Sequence, residues 1–65
     1  MHRIAVRWRV ERFDCEVRNE GDVKWLLVYD GAQLVGRESV PSLQAGFERS
    51  REVARYLTAP VAKHA

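Results

Sequence analysis

The chain has 65 residues, of which 46% are hydrophobic, and eleven basic side chains against nine acidic ones give a formal net charge of +2. That is one small domain with no length for a second, and its single cysteine, Cys15, excludes an internal disulfide. No cysteine and histidine cluster has metal-ligand spacing, and no apolar run approaches membrane-spanning length. A core of this size supplies only about 3–5 kcal/mol without staples or a partner chain, so self-association is expected. A sequence pI near 9.1 permits contact with phosphates but falls short of a dense cationic stripe. Met1, His2 and Arg3 lead into alternating apolar and basic residues rather than a signal-peptide core. With the free thiol, this points to a reducing cytoplasm.

From Ile4 the apolar residues occupy every second position, Ile4, Val6, Trp8 and Val10, with Arg3, Ala5, Arg7 and Arg9 between them. This is strand periodicity. After Glu11 and Arg12 it resumes with changed parity as Phe13, Cys15 and Val17. A turn accounts for the change: with Val10 opposite Phe13, Trp8 faces Cys15 and Val6 faces Val17, while on the reverse side Arg9 meets Asp14 and Arg7 meets Glu16. Because Glu and Arg disfavour positive φ, a tight turn and a four-residue turn over 10–13 both suit this register, and a bulge in one long strand competes with them.

Asn19, Glu20 and Gly21 suit a three-residue hairpin loop closed by a left-handed glycine. That loop sets Val17 across from Val23, Cys15 from Trp25 and Phe13 from Leu27, with Arg18 against Asp22 and Glu16 against Lys24. A second turn at Asp30 and Gly31 places Leu34 across from Leu27 and Gly36 across from Trp25. The odd-numbered residues of 23–29 therefore look inward, and Leu26, Val28 and Val35 form a small apolar island on the opposite face.

Pro41 ends the last strand and Ser42 is a good N-cap for a helix. Leu43, Phe47, Ser50, Ala54 and Leu57, with Gly46 and Val53 beside them, line one stripe at the 3.6-residue period. Gly46 costs roughly 1 kcal/mol of helix propensity against alanine, which a close approach of helix to strand, over Trp25, explains. Pro60 stops the helix. The predicted fold is α+β: a three- to four-stranded antiparallel meander followed by one C-terminal helix packed on one sheet face, a single domain over 1–58 with a flexible tail over 59–65. Four strands span roughly 15–20 Å and one helix about 10–12 Å, so apolar surface near Trp8 should stay uncovered.

No catalytic constellation is present. Cys15 faces the buried side and packs as a small hydrophobe. His2 and His64 stand at opposite ends. Asp14 and Glu16 read as sheet salt bridges rather than an acid and base pair, and Gly31, Gly36 and Gly46 do not follow the order of a phosphate loop. No enzyme, cofactor or metal is expected. Two surfaces remain: an apolar one comprising Trp8, Leu26, Val28 and Val35, and an arginine-bearing one comprising Arg7, Arg9, Arg12 and Arg37, to which Arg3, Arg18 and Lys24 add charge. A three-stranded sheet can lie in a major groove and use such arginines for phosphates and base edges.

At Trp25, the Asp30 and Gly31 turn and the helix opening Ser42 to Ala45, residues 13 to 57 resemble short bacterial proteins of unknown function that carry a small meander and one helix. The order of elements is also similar to that of the amino-terminal sheet-and-helix DNA-binding domains of phage-type integrases. The first resemblance implies no activity, and the second carries over no base-reading residue. The expected function is that of a non-enzymatic interaction module, self-associating or binding a protein partner through exposed sheet surface. Nucleic-acid binding through the arginine face is the alternative.

Overall fold

The computed structural model describes residues 5–59, so the N-terminal residues to Ile4, with His2 and Arg3, and the expected tail from Pro60 lie outside the described residues. Four antiparallel strands, β1 (Ala5–Val10), β2 (Phe13–Glu20), β3 (Val23–Asp30) and β4 (Gln33–Val40), form one meander in the order β1-β2-β3-β4, and helix α1 (Leu43–Thr58) follows. The fold class is the one the alternation and the helical stripe predict.

The β1 and β2 register matches the expectation, with Val10 opposite Phe13, Trp8 opposite Cys15 and Arg7 opposite Glu16. The turn between them is the tight one. It places Glu11 at φ +57°, a left-handed conformation that a non-glycine residue adopts only at a cost.

The β2 and β3 register differs from the expectation. Glu20 pairs with Val23, so the loop is the two residues Gly21 and Asp22, with Gly21 at φ +63° in the first turn position. Shortening the loop by one residue inverts the parity of β3. Val17 now faces Leu26 and Cys15 faces Val28, while Arg18 faces Trp25 and Glu16 faces Leu27. The third turn is likewise Gly31 and Ala32, with Gly31 at φ +66°. A bulge at Val35 then restores the phase, so Tyr29 faces Leu34, Val28 faces Gly36 and Leu27 faces Arg37. Lys24 accordingly lies opposite Val40 rather than Arg37.

The core comprises Phe13, Cys15, Val17, Leu26, Val28, Val40 and Ala54. Leu26 and Val28 are 0% and 1% exposed and Val35 packs against them, so the expected apolar island is instead buried beneath the helix. Ser42 caps that helix, its Oγ accepting from the Ala45 N–H at 3.0 Å. Glycine 46 is the close approach: a Cβ there would lie 2.7 Å from Val17 Cγ2, with Val40 and Trp8 next nearest, so the glycine sits over Val17 and not over Trp25. Gly36 makes room for Val28 and Val53 rather than for the indole of Trp25.

Coverage of β1 is also better than helix width alone allows, because long side chains bridge the gap. The Trp8 and Phe47 rings meet edge to face at 4.5 Å, and Trp8 Nε1 donates to Ser50 Oγ at 3.0 Å, whose hydroxyl donates to the Phe47 carbonyl at 2.8 Å. At the opposite edge Arg49 of α1 pairs with Glu38 of β4. Trp8 is thus half-buried, and the large exposed apolar residues are Val23, Leu34 and Tyr56.

Overpacking of a core site typically costs about 1–3 kcal/mol, whereas alanine gains only about 1 kcal/mol over glycine in helix propensity. Gly46→Ala is therefore expected to lower the melting temperature measured by circular dichroism. In the Gly46→Ala background, Val17→Ala should cost clearly less than it does alone, because it removes the clash; equal costs in both backgrounds would contradict the contact.

Candidate nucleic-acid interface

Inverting the parity of β3 turns its other residues to the face that lacks the helix. Three rows run across that open face. The first holds Arg9, Asp14, Tyr29 and Leu34, the second Arg7, Glu16, Leu27 and Arg37, and the third Ala5, Arg18, Trp25 and Ser39. Alternation along each strand dictates this set once the turns fix the register. Four arginines therefore share the surface with two carboxylates and two large aromatic rings.

The arginines are held in different ways. Glu16, only 6% exposed, is the hub of the middle: Arg18 reaches its Oε2 from Nη2 at 2.7 Å and from Nε at 2.9 Å, and Arg7 Nε lies 3.5 Å from Oε1. The hydrogen bond to Glu16 raises the pKa of Arg18, followed by the charge of the same carboxylate. Arg9 Nε pairs with Asp14 Oδ1 at 3.2 Å in the open. The side chain of Arg7 stays 75% exposed, so its contact leaves most of the guanidinium free for another anion. The Arg9–Asp14 pair, exposed on both sides, is worth about 0–1 kcal/mol and exchanges readily.

Arg37 has no carboxylate within ion-pair distance among the described residues. Its guanidinium carbon instead lies 4.0 Å above the centre of the Trp25 ring, a cation–π stack. Leu27, 6% exposed, is the apolar floor beneath this layer. Beside it, Arg7, Arg9, Asp14, Glu16, Arg18 and Tyr29 line a shallow depression.

Of the candidate contacts, Arg7, Arg9 and Arg37 come together on this face. Arg12 stands apart in the first turn, where it pairs with Asp30 at 3.3 Å and lies over Phe13 at 4.8 Å. Trp8, Leu26, Val28 and Val35 belong to the helix side. The sequence reading missed Trp25 and Tyr29 as members of the open face. The signal that finds them is the ten-residue interval between Gly21 and Gly31, which puts both glycines in the same position of successive two-residue turns.

Asp14 and Glu16 are engaged by arginine, as expected of sheet salt bridges. Cys15 is a free thiol in the core, and burial pushes its pKa up. Among the described residues no group of three or more His, Cys, Asp or Glu is placed to hold a metal ion, and no helix is long and apolar enough to cross a membrane. No protein-family model, curated protein or solved structure matches the chain.

The raised thiol pKa has a sign that can be tested. The unfolded chain ionises Cys15 first, so the thiol's contribution to stability is intact below the unfolded pKa and is lost as pH rises toward the folded one. Urea midpoints taken between about pH 8 and pH 10 should fall more steeply for the wild type than for Cys15→Ala, in which this linkage is absent. Parallel slopes would show that the thiol ionises as easily folded as unfolded.

Proposed function

We propose that this domain is a non-enzymatic nucleic-acid-binding module whose contact surface is the open face of the sheet. The observation that carries this reading is the set Arg7, Arg9, Arg18 and Arg37 gathered around Trp25 and Tyr29 on one uncovered face, with only Asp14 and Glu16 against them in the same rows. Arg9 pairs with an exposed carboxylate and Arg7 keeps most of its guanidinium in the open, so both can take up phosphates, and release of the phosphates' counterions drives the exchange. The reducing cytoplasm is the compartment in which the buried Cys15 thiol is kept as such.

Self-association is the other reading, and the surface expected to support it is used inside the chain. Leu26 and Val28 are in the core, and Trp8 is occupied by Phe47 and Ser50. Pairing of two β1 edges about a two-fold axis fares no better. In the registers that use the whole strand, Arg7 meets Arg7 or Arg9 of the second copy, and like charges directly opposite destabilise a strand pair.

Fluorescence anisotropy with labelled single- and double-stranded oligonucleotides over a salt series tests the proposal. Affinity should fall linearly in log–log form with salt, and Arg7→Ala and Arg9→Ala should each reduce the slope by roughly 0.7–0.9, the value of one phosphate contact. Absence of binding at low salt, or a slope near zero, would refute it. Sedimentation at the same concentrations would then show whether a dimer accounts for the exposed face.

A further inference from the structure

Resting on the nucleic-acid reading, we infer that the ligand is B-form duplex DNA entered through its major groove, and that Arg37, held over Trp25, is the residue that reads sequence, with a preference for guanine. Three of the four arginines on the face are tethered to carboxylates, Arg7 and Arg9 across to β2 and Arg18 within β2. Arg37 is tethered to an aromatic ring instead. With its guanidinium carbon 4.0 Å from the Trp25 ring centre and no carboxylate in ion-pair reach among the described residues, Arg37 keeps its N–H donors unspent on any ion pair. In that state it is a planar donor fork restrained by the ring, which is the complement of the O6 and N7 acceptors of guanine. Because the stack already restrains the side chain, less rotamer entropy is lost on binding than for a free arginine.

Placement agrees with this role. Arg37 belongs to the edge strand β4, but Trp25 belongs to β3, so the guanidinium is drawn one strand inward over the face. Arg7 and Arg9 stand on the opposite edge strand β1. Four strands at about 4.8 Å spacing put β1 and β4 roughly 14 Å apart, comparable to the major groove of B-DNA, about 12 Å wide. With the middle of the sheet toward the base edges, the β1 arginines reach one phosphate wall while Arg37 points at the floor. An A-form RNA duplex does not admit side chains to its major groove. A single strand would use Trp25 as a stacking platform, and Arg37 already occupies that ring.

The division of labour between phosphate contacts, which position, and base contacts, which specify, supplies the test. Wild-type protein, Arg37→Lys and Arg37→Ala are each used to select from a randomised DNA duplex library, and affinities for selected and base-swapped duplexes are then measured. Wild type should enrich guanine at one position, and replacing that base should weaken binding about 5- to 150-fold. Arg37→Lys retains charge and the aliphatic stem over Leu27 but lacks the planar fork, so it should keep the salt slope of the wild type and lose the guanine preference. Arg37→Ala should lose the preference as well. Salt-dependent binding without base preference in the wild type, an unchanged preference in Arg37→Lys, or tighter binding to single strands or RNA would overturn the assignment while leaving nucleic-acid binding standing. Failure to bind any nucleic acid at low salt would instead remove the reading on which it rests.

Discussion

A two-residue turn leaves a strand no choice of face. With Glu20 opposite Val23 and Gly21 supplying the positive φ between them, every residue of β3 is assigned: Leu26 and Val28 go beneath the helix, and Trp25, Leu27 and Tyr29 go to the other side. A loop longer by one residue would exchange the two sets. The core and the candidate interface therefore have the same origin, since the turn that buries Leu26 exposes the face on which Trp25 meets Arg37.

The helix fits only this arrangement of small and large side chains. It approaches β2 so closely at Gly46 that Val17 leaves no space for a methyl group, and beneath it stand Cys15, Val28 and Leu26 rather than an indole. Phe13 is the ring inside the core, the Trp25 indole lies away from the Gly46 contact, and at the β1 edge Trp8 and Phe47 close the flank together. Displaced to the open face, Trp25 finds a cover in Arg37, and Leu27 is sealed beneath side chains instead of beneath an element. That face is consequently polar over its middle and apolar one layer down, with Leu27 kept from solvent.

Much of this was legible in the amino-acid sequence. In β1 and β2 only one parity is apolar and the opposite parity pairs Arg9 with Asp14 and Arg7 with Glu16, so pattern and charge select one register. Ser42, Pro41 and the Leu43 to Leu57 stripe define the helix in the same way. β3 offers no such contrast, because Val23, Trp25, Leu27 and Tyr29 are as apolar as Leu26 and Val28, and Gly21 suits a two-residue and a three-residue loop alike. The bulge at Val35 leaves no signature among residues that are apolar on both sides of it. Arg7 and Arg9 were legible as one face from the β1 and β2 register alone, and Arg37 joins them because the bulge at Val35 offsets the inverted parity of β3, whereas their aromatic neighbours were hidden with that register.

The measurement that bears most directly on the account is the cross-strand nuclear Overhauser pattern of β2 and β3 in solution. The account predicts contacts between backbone protons of Cys15 and Val28 and of Val17 and Leu26, together with contacts from the Val17 methyls to the Gly46 α-protons. Contacts pairing Cys15 with Trp25 and Val17 with Val23 would contradict it, since they would place the indole under the helix and dissolve the arginine and aromatic face.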